Sequence, residues 1–172
     1  MTIDRWPHPA CLAPEELLKQ CEISTGRSGG PGGQHRNKVE TRVDITHNPT
    51  GIDTHAGERR SLTENRSVAV FRLRLALATQ VRTAVPLGEC RSELWLSRTR
   101  NGKIACSPEH RDFPAMLAEA MDVLAACSWD PPKAALRLAC SASQLVRLVK
   151  DHAPAFQRLN EERAAKGLHA LH

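Results

Sequence analysis

GRSGGPGGQHRN occupies residues 26–37, and five of these twelve positions are glycine and one is proline. Glycine adopts positive φ as readily as negative, and proline interrupts both helix and strand ladders, so no regular element survives this density of backbone freedom. A plain linker is rich in glycine and serine throughout. This stretch instead carries Gln34, His35 and Asn37 towards its end and has strand-like sequence on both sides. It reads as a loop held between structured arms, with its chemistry at the tip.

The arms follow from periodicity. Residues 21–25 (CEIST) are a short strand candidate. In residues 39–47 (VETRVDITH), Val39, Thr41, Val43 and Ile45 alternate with Glu40, Arg42, Asp44 and Thr46, the period of a half-buried strand. Asn48-Pro49-Thr50-Gly51 is a turn, and residues 52–56 (IDTHA) form the return strand of a hairpin. Ahead of the loop, Pro7 and Pro9 keep the start irregular, and residues 14–20 form one or two helical turns opened by Pro14.

Residues 61–83 predict the longest helix, with Ser61 and Glu64 as a capping box. One apolar stripe holds Leu62, Ala69, Val70, Leu73, Ala76 and Leu77, and a second holds Val68, Phe71, Leu75 and Ala78. Two stripes imply burial on two sides, one on the sheet and one under the later chain. Further on, Asn101-Gly102 between 93–98 (ELWLSR) and 103–106 (KIAC) predicts a hairpin. Helices are then expected near 112–128, 132–139, 142–152 and 154–166, with Ser141 and Gln144 as a second capping box and Gly167 closing the last.

A chain of 172 residues suits one domain, or one domain with a small appendage, and folds without a disulfide or metal staple. No apolar run approaches the roughly 20 residues that span a bilayer. The first residues lack the apolar core of a secretory signal, so a cytoplasmic protein with no membrane partner is expected. The six cysteines are scattered with no CxxC pair; no metal and no cofactor is expected, and the thiols read as reduced and mostly buried.

The formal charge of +5 is unevenly spread: net −2 over residues 1–25, +4 over 26–74, +3 over 75–103 and zero over 104–172. Arginine dominates the basic middle, and its planar fork matches phosphate, so the partner is a polyanion, nucleic acid ahead of membrane. With three Phe, three Trp and no Tyr, stacking of several bases on an aromatic platform is excluded; RNA would be held through phosphates and shape.

The segment RSGGPGGQHRNKVETRVDITHNPTGI (27–52), continued by Arg60, Asn65, Ala69 and Leu73, resembles the GGQ domain of class I peptide chain release factors over about residues 26–80. Gly32-Gly33-Gln34 is framed by Arg-Ser-x-Gly-Pro before it, His-x-Asn-Lys after it, and Thr-His-x-Pro-Thr-Gly-Ile at family spacing. The resemblance implies hydrolysis of the ester between nascent peptide and tRNA, in the peptidyl transferase centre of the large ribosomal subunit. Gly32, Gly33 and Gln34 are then the catalytic residues, with ribosome, peptidyl-tRNA and ribosomal RNA as partners. A neutral amide is no general base, so Gln34 acts by hydrogen bonding, its backbone N–H towards the oxyanion or leaving oxygen and its side chain placing water. The resemblance also implies a glutamine N5-methyltransferase acting on Gln34, with the protein a monomer. His35 in this family supports the loop. Arg36 replaces the usual small aliphatic residue, and both a phosphate contact and a solvated charge stay open for it. Arg27, Arg36, Lys38, Arg59, Arg60 and Arg66 are the candidate RNA-binding cations.

The expected fold is α+β: a small antiparallel sheet with a mobile GGQ loop packed on the long helix, then a hairpin and a small C-terminal helical segment. Residues 1–90 are expected to form the GGQ domain with an N-terminal extension, and 91–172 the appendage. Only about 25 residues precede the loop and nothing resembles the tripeptide anticodon elements, so the chain is similar to the short, codon-independent rescue factors. It departs from them in lacking a basic tail. Its residues 134–151 (AALRLACSASQLVRLVKD) have the rhythm of a helix-turn-helix, whose RNA-facing residues would be Ser143, Gln144, Arg147 and Lys150; the plainer alternative is two short helices joined by a capped turn. A non-catalytic ribosome or large-subunit binding protein with a release-factor-like fold is the second hypothesis.

Overall fold

A computed structural model describes the backbone of residues 2–3, and residues 8–27 and 40–172 in full. In chain order the elements are β1 (Thr2–Ile3), a 3₁₀ turn (Pro9–Cys11), α1 (Pro14–Leu18), β2 (Cys21–Gly26), β3 (Arg42–His47), β4 (Ile52–Ala56) and α2 (Leu62–Gln80). There follow β5 (Arg82–Thr83), α3 (Glu93–Arg98), β6 (Thr99–Arg100), β7 (Lys103–Ile104), α4 (Phe113–Ala126), α5 (Pro131–Arg137), α6 (Ala142–Lys150) and α7 (Ala153–Ala165). The fold is α+β, as expected. Its contacts resolve into two compact units, Leu12–Leu77, and Met1–Cys11 with Ala78–His172. No described helix is long and apolar enough to cross a membrane.

The first unit is an antiparallel sheet in the order β2-β3-β4 with α2 against it. Central strand β3 buries Val43, Ile45 and His47 and leaves Arg42, Asp44 and Thr46 half-exposed, the alternation the sequence predicts. The Thr54 hydroxyl donates to the Ala69 carbonyl at 3.1 Å, placing β4 beside the helix. Ala69, Val70, Leu73 and Leu77 of α2 are buried as one stripe, while Leu62, in the first turn, stays exposed. The second stripe is only partly covered: Val68, Phe71 and Leu75 are half-buried. The Glu64 N–H donates to the Ser61 hydroxyl at 3.4 Å, so the expected cap starts this helix.

The second unit is organised on α4, whose residues from Phe113 to Leu124 are all buried. A helix apolar nearly all round has no solvent face. Among the described residues it meets α5, α6, β5 and the 3₁₀ turn. Its two carboxylates are satisfied. Glu119 accepts from the Ser92 N–H at 2.9 Å and the Ser92 hydroxyl at 2.6 Å. Asp122 accepts from Arg82 Nη1 and the Thr83 N–H, both at 3.1 Å, and from the Thr83 hydroxyl.

The hairpin is smaller than expected. Asn101 and Gly102 have φ of 49° and 75°, the two positive values of a tight hairpin turn, but its arms are only β6 and β7. ELWLSR is helix α3, not a strand. Ser92 caps it, accepting from the Trp95 N–H at 3.0 Å, with Glu93 in the first turn. Trp95 is fully buried and donates from Nε1 to the Leu138 carbonyl at 2.9 Å, so a tertiary anchor overrides the alternating pattern. The second capping box is half formed. Ser141 accepts from the Gln144 N–H at 3.2 Å, but the Gln144 Oε1 accepts from the Ile104 N–H at 3.2 Å, tying α6 to β7.

Burial shifts both partners of the Arg82–Asp122 pair against ionisation, Arg82 down to about 10 and Asp122 up to about 6. An acid whose pKa is raised on folding binds more protons in the native state. Its contribution is therefore full below the ordinary 3.8 and declines as pH climbs through about 6. In urea unfolding from pH 4 to pH 7, the stability of the wild type relative to Asp122→Asn should fall as pH rises through about 6. Asp122→Ala, which leaves Arg82 as a buried unpaired cation, should lose about 3–5 kcal/mol at pH 7.

Candidate functional site at the stem of the glycine loop

β2 and β3 pair in continuous register from Cys21↔His47 to Gly26↔Arg42. Residues 27–41 are therefore the connection of a β-hairpin, and its two ends leave adjacent strands about 5 Å apart. Gly32, Gly33 and Gln34, with Arg36 and Lys38, lie outside the described residues. What the structure describes is the stem from which they are presented.

Two contacts brace that stem. Arg27 Nε lies 3.8 Å from Glu40 Oε1 across the base of the loop, but both side chains are exposed, and such a pair is worth at most about 1 kcal/mol. The stronger brace is Asn65, fully buried on α2. Its Nδ2 donates to the Thr41 carbonyl at 2.5 Å and the Arg59 carbonyl at 2.9 Å, and its Oδ1 accepts from the Arg59 N–H at 2.9 Å. One amide thus joins the entry to β3, the segment between β4 and α2, and the helix. In sequence Asn65 stands out only as part of the resemblance and as an asparagine one turn past the Ser61 cap; its burial is set by the fold.

Of the candidate cations, Arg27 lies beside Glu40, and Arg59, Arg60 and Arg66 are exposed. The Asn65 bonds hold the Arg59 backbone beside Thr41, so this group borders the second strand of the stem. Two other arginines of the basic middle are internally engaged. Arg42 bonds Asp44, with Nη2 2.5 Å from Oδ1. Arg72 pairs with Glu58 at 2.7 Å and donates to the His55 carbonyl at 2.8 Å. The Arg72 hydrogen bond holds the Glu58 carboxyl below its usual range.

The Thr-His-x-Pro-Thr-Gly turn lies at the other end of the strands. His47, fully buried, has Nδ1 2.8 Å from the Thr50 hydroxyl and Nε2 3.2 Å from Gln20 Oε1. Gly51 takes a φ of 69°, and its N–H donates to the His47 carbonyl at 2.8 Å. Five residues of strand separate His47 from Arg42, about 17 Å of backbone, so this histidine belongs to the turn and not to the loop's chemistry. Burial lowers its pKa, and it stays neutral with both ring nitrogens in use.

A glycine-rich connection on a braced antiparallel stem, flanked by free arginines, is the part of the chain that a known family shares. The RF-1 domain model matches residues 16–111. This chain belongs to the class I peptide chain release factor family. The match runs beyond the residues 26–80 on which the resemblance rests, through α3 and the short hairpin. The chloroplastic peptide chain release factor PrfB1 of Arabidopsis thaliana is 40% identical over 102 residues, covering 52% of this chain and 22% of its own. Peptide chain release factor 1 of Symbiobacterium thermophilum is 43% identical over 67 residues, 39% of this chain and 18% of its own. That of Chlorobaculum tepidum is 52% identical over 63 residues, 37% of this chain and 16% of its own. This chain therefore spans about a fifth of the length of these relatives.

Asn65→Ala removes three hydrogen bonds to the backbone of Thr41 and Arg59. It should lower stability by about 2–4 kcal/mol in denaturant unfolding and speed amide exchange at Arg59, whose N–H donates to the Asn65 Oδ1. His47 supplies the acid sensitivity of this unit. Its folded pKa lies below the unfolded value, so its contribution is intact above pH 6.5 and is lost as pH falls towards the folded value. Thermal unfolding at pH 7 and pH 5 should show a smaller acid loss in His47→Gln, which cannot titrate, than in the wild type.

Proposed function

We propose that this chain hydrolyses the peptidyl-tRNA ester on the ribosome and releases nascent peptide without reading a stop codon. One observation carries the reading. Gly32-Gly33-Gln34 lies in the connection of an in-register hairpin whose stem Asn65 braces, within the region matched by the release factor family. Such a stem fixes both ends of a loop that would enter a confined pocket.

The chemistry asks little of the protein's titratable groups. Glycines at 32 and 33 leave the backbone free of side chains that would collide with ribosomal RNA. The Gln34 N–H donates to the developing oxyanion or to the departing 3′ oxygen, and its side-chain amide positions the attacking water. Such a donor is typically worth about 3–4 kcal/mol, or roughly 10²–10³ in rate. Pro31 narrows the loop's conformations before binding. Arg27, Arg36, Lys38, Arg59, Arg60 and Arg66 neutralise RNA phosphates around the entry. Codon-independent action, as in ribosome rescue, is part of this proposal. N5-methylation of Gln34 by a dedicated methyltransferase, a monomeric state and a cytoplasmic location complete the proposal.

The test is peptide release from stalled ribosome complexes without a stop codon in the A site. The wild type should release peptide. Gly33→Ala should lose roughly 10²–10³ in rate while still co-sedimenting with ribosomes, and Gln34→Ala should lose less because its backbone N–H remains. Equal, negligible release by all three at full ribosome occupancy would leave a binding protein and end the hydrolase reading.

A further inference from the structure

Residues 104–172 carry eight basic and eight acidic side chains, and on that count nothing in them attracts a polyanion. Their placement tells otherwise. Glu119 and Asp122 are buried in α4. Asp112 pairs with Arg98, Asp130 with Lys133, and Glu161 and Glu162 both with Arg158. Most of the negative charge is thus internal or neutralised. Among the described residues, no carboxylate lies within ion-pair distance of Arg147, Lys150 or Arg163.

These three cations line one open cleft of about 600 Å³ formed by α5, α6 and α7 with the last residues of the chain. Arg147 and Lys150 are three apart on α6, on one face of the helix. Arg163 comes from α7 and is held in place, Nη1 donating to the Trp129 carbonyl at 2.5 Å and Nε to the His169 carbonyl at 2.9 Å. A guanidinium anchored this way loses little freedom when a ligand takes its remaining donors. The anchoring carbonyl belongs to a strained turn: Ser128 and Trp129 both have positive φ, at 57° and 61°. Lys150 Nζ stands 5.9 Å from the Phe156 ring, at the outer limit of a cation–π contact. Asp151 is the one carboxylate side chain in the lining, Ser143 adds a hydroxyl, and Pro131 and Val146 make apolar wall.

We propose that this cleft holds the sugar-phosphate backbone of an RNA strand, with Arg147, Lys150 and Arg163 on successive phosphates. Three cations against one carboxylate side chain select a polyanion, and two guanidinium forks suit phosphate oxygens. The apolar wall accepts ribose, no Phe, Tyr or Trp ring lines the cleft and its one aromatic ring is the His172 imidazole, and phosphate contacts carry no sequence information, so binding is independent of sequence. An acidic protein segment fits less well, because the centres of protein interfaces are depleted in charge. Gln144, an RNA-facing candidate of the helix-turn-helix pattern, is spent on the Ile104 N–H, while Arg163, outside that pattern, joins the site.

The assignment does not require the release reaction, and the test separates the two. Binding of a short fluorescein-labelled single-stranded RNA is followed by anisotropy over a salt series, with wild type, Arg147→Ala/Lys150→Ala and Gly33→Ala. The double variant should bind roughly tenfold or more weakly at about 0.1 M salt, with a log–log salt slope shallower by about 1.4. Arg147→Lys should keep most of the slope, and Gly33→Ala should bind as the wild type does. Circular dichroism melting establishes that the double variant is folded; neither replaced head group has an ion-pair partner to lose. An unchanged affinity and slope in the folded double variant overturns the proposal. So does loss of binding to a labelled acidic peptide with RNA binding intact, which would assign the cleft to a protein. Failure of release with cleft-dependent RNA binding retained would remove the hydrolase reading and leave this one standing.

Discussion

A long glycine-rich connection is useful only if both of its ends are fixed, and in this protein that fixing is done by strand register. Gly26 opposite Arg42 is the last rung of a ladder whose register is set by Val43 and Ile45. A slip by one residue would turn both side chains to solvent, at a cost of about 1.5–3 kcal/mol each. The ladder therefore resists exactly the displacement that would move the loop. Asn65 extends the constraint one residue beyond the ladder, to Thr41, and shares it with the segment that carries Arg59 and Arg60. The stem of the glycine loop and the segment carrying Arg59 and Arg60 then depend on the same buried amide.

The electrostatics of this unit follow a division of labour. Arg42 is paired with Asp44, and Arg72 with Glu58 and the His55 carbonyl. Arg59, Arg60 and Arg66 remain exposed at the stem. A cluster of arginines in sequence thus separates into structural and available charges according to whether a carboxylate lies opposite, and only the available ones attract phosphate over distance.

The second unit solves a different problem, that of a helix with no solvent face. α4 places Glu119 and Asp122 in the interior, and each is matched by a short neighbouring segment, Ser92 before α3 and Arg82–Thr83 in β5. Leaving either carboxylate unmatched would cost more than the pairing gains, so these segments are held to α4 by polar satisfaction as much as by apolar contact. With most of the acids of residues 104–172 internal or paired, this stretch keeps cations on its surface despite a balanced count.

Local pattern was enough wherever a local rule decided the outcome. Alternation marked β3, proline and glycine marked the turn after it, Ser61 and Ser141 marked helix starts, and Asn101-Gly102 marked a hairpin turn. The family, too, was legible, because Gly32-Gly33-Gln34 and its flanks stand together in sequence. Tertiary contact decided the rest. ELWLSR alternates like a strand, yet Ser92 caps it and Leu138, 43 residues from Trp95, receives the indole N–H. Gln144 obeys a capping rule, yet β7 claims its side chain. Which arginines are free, and which of them share a cleft, depends on partners far away in the chain. Sequence determined the elements and the loop, since both arise from backbone preferences over a few residues; only the folded chain decided which polar groups are spent and which remain to bind, since that is settled by neighbours brought together from a distance.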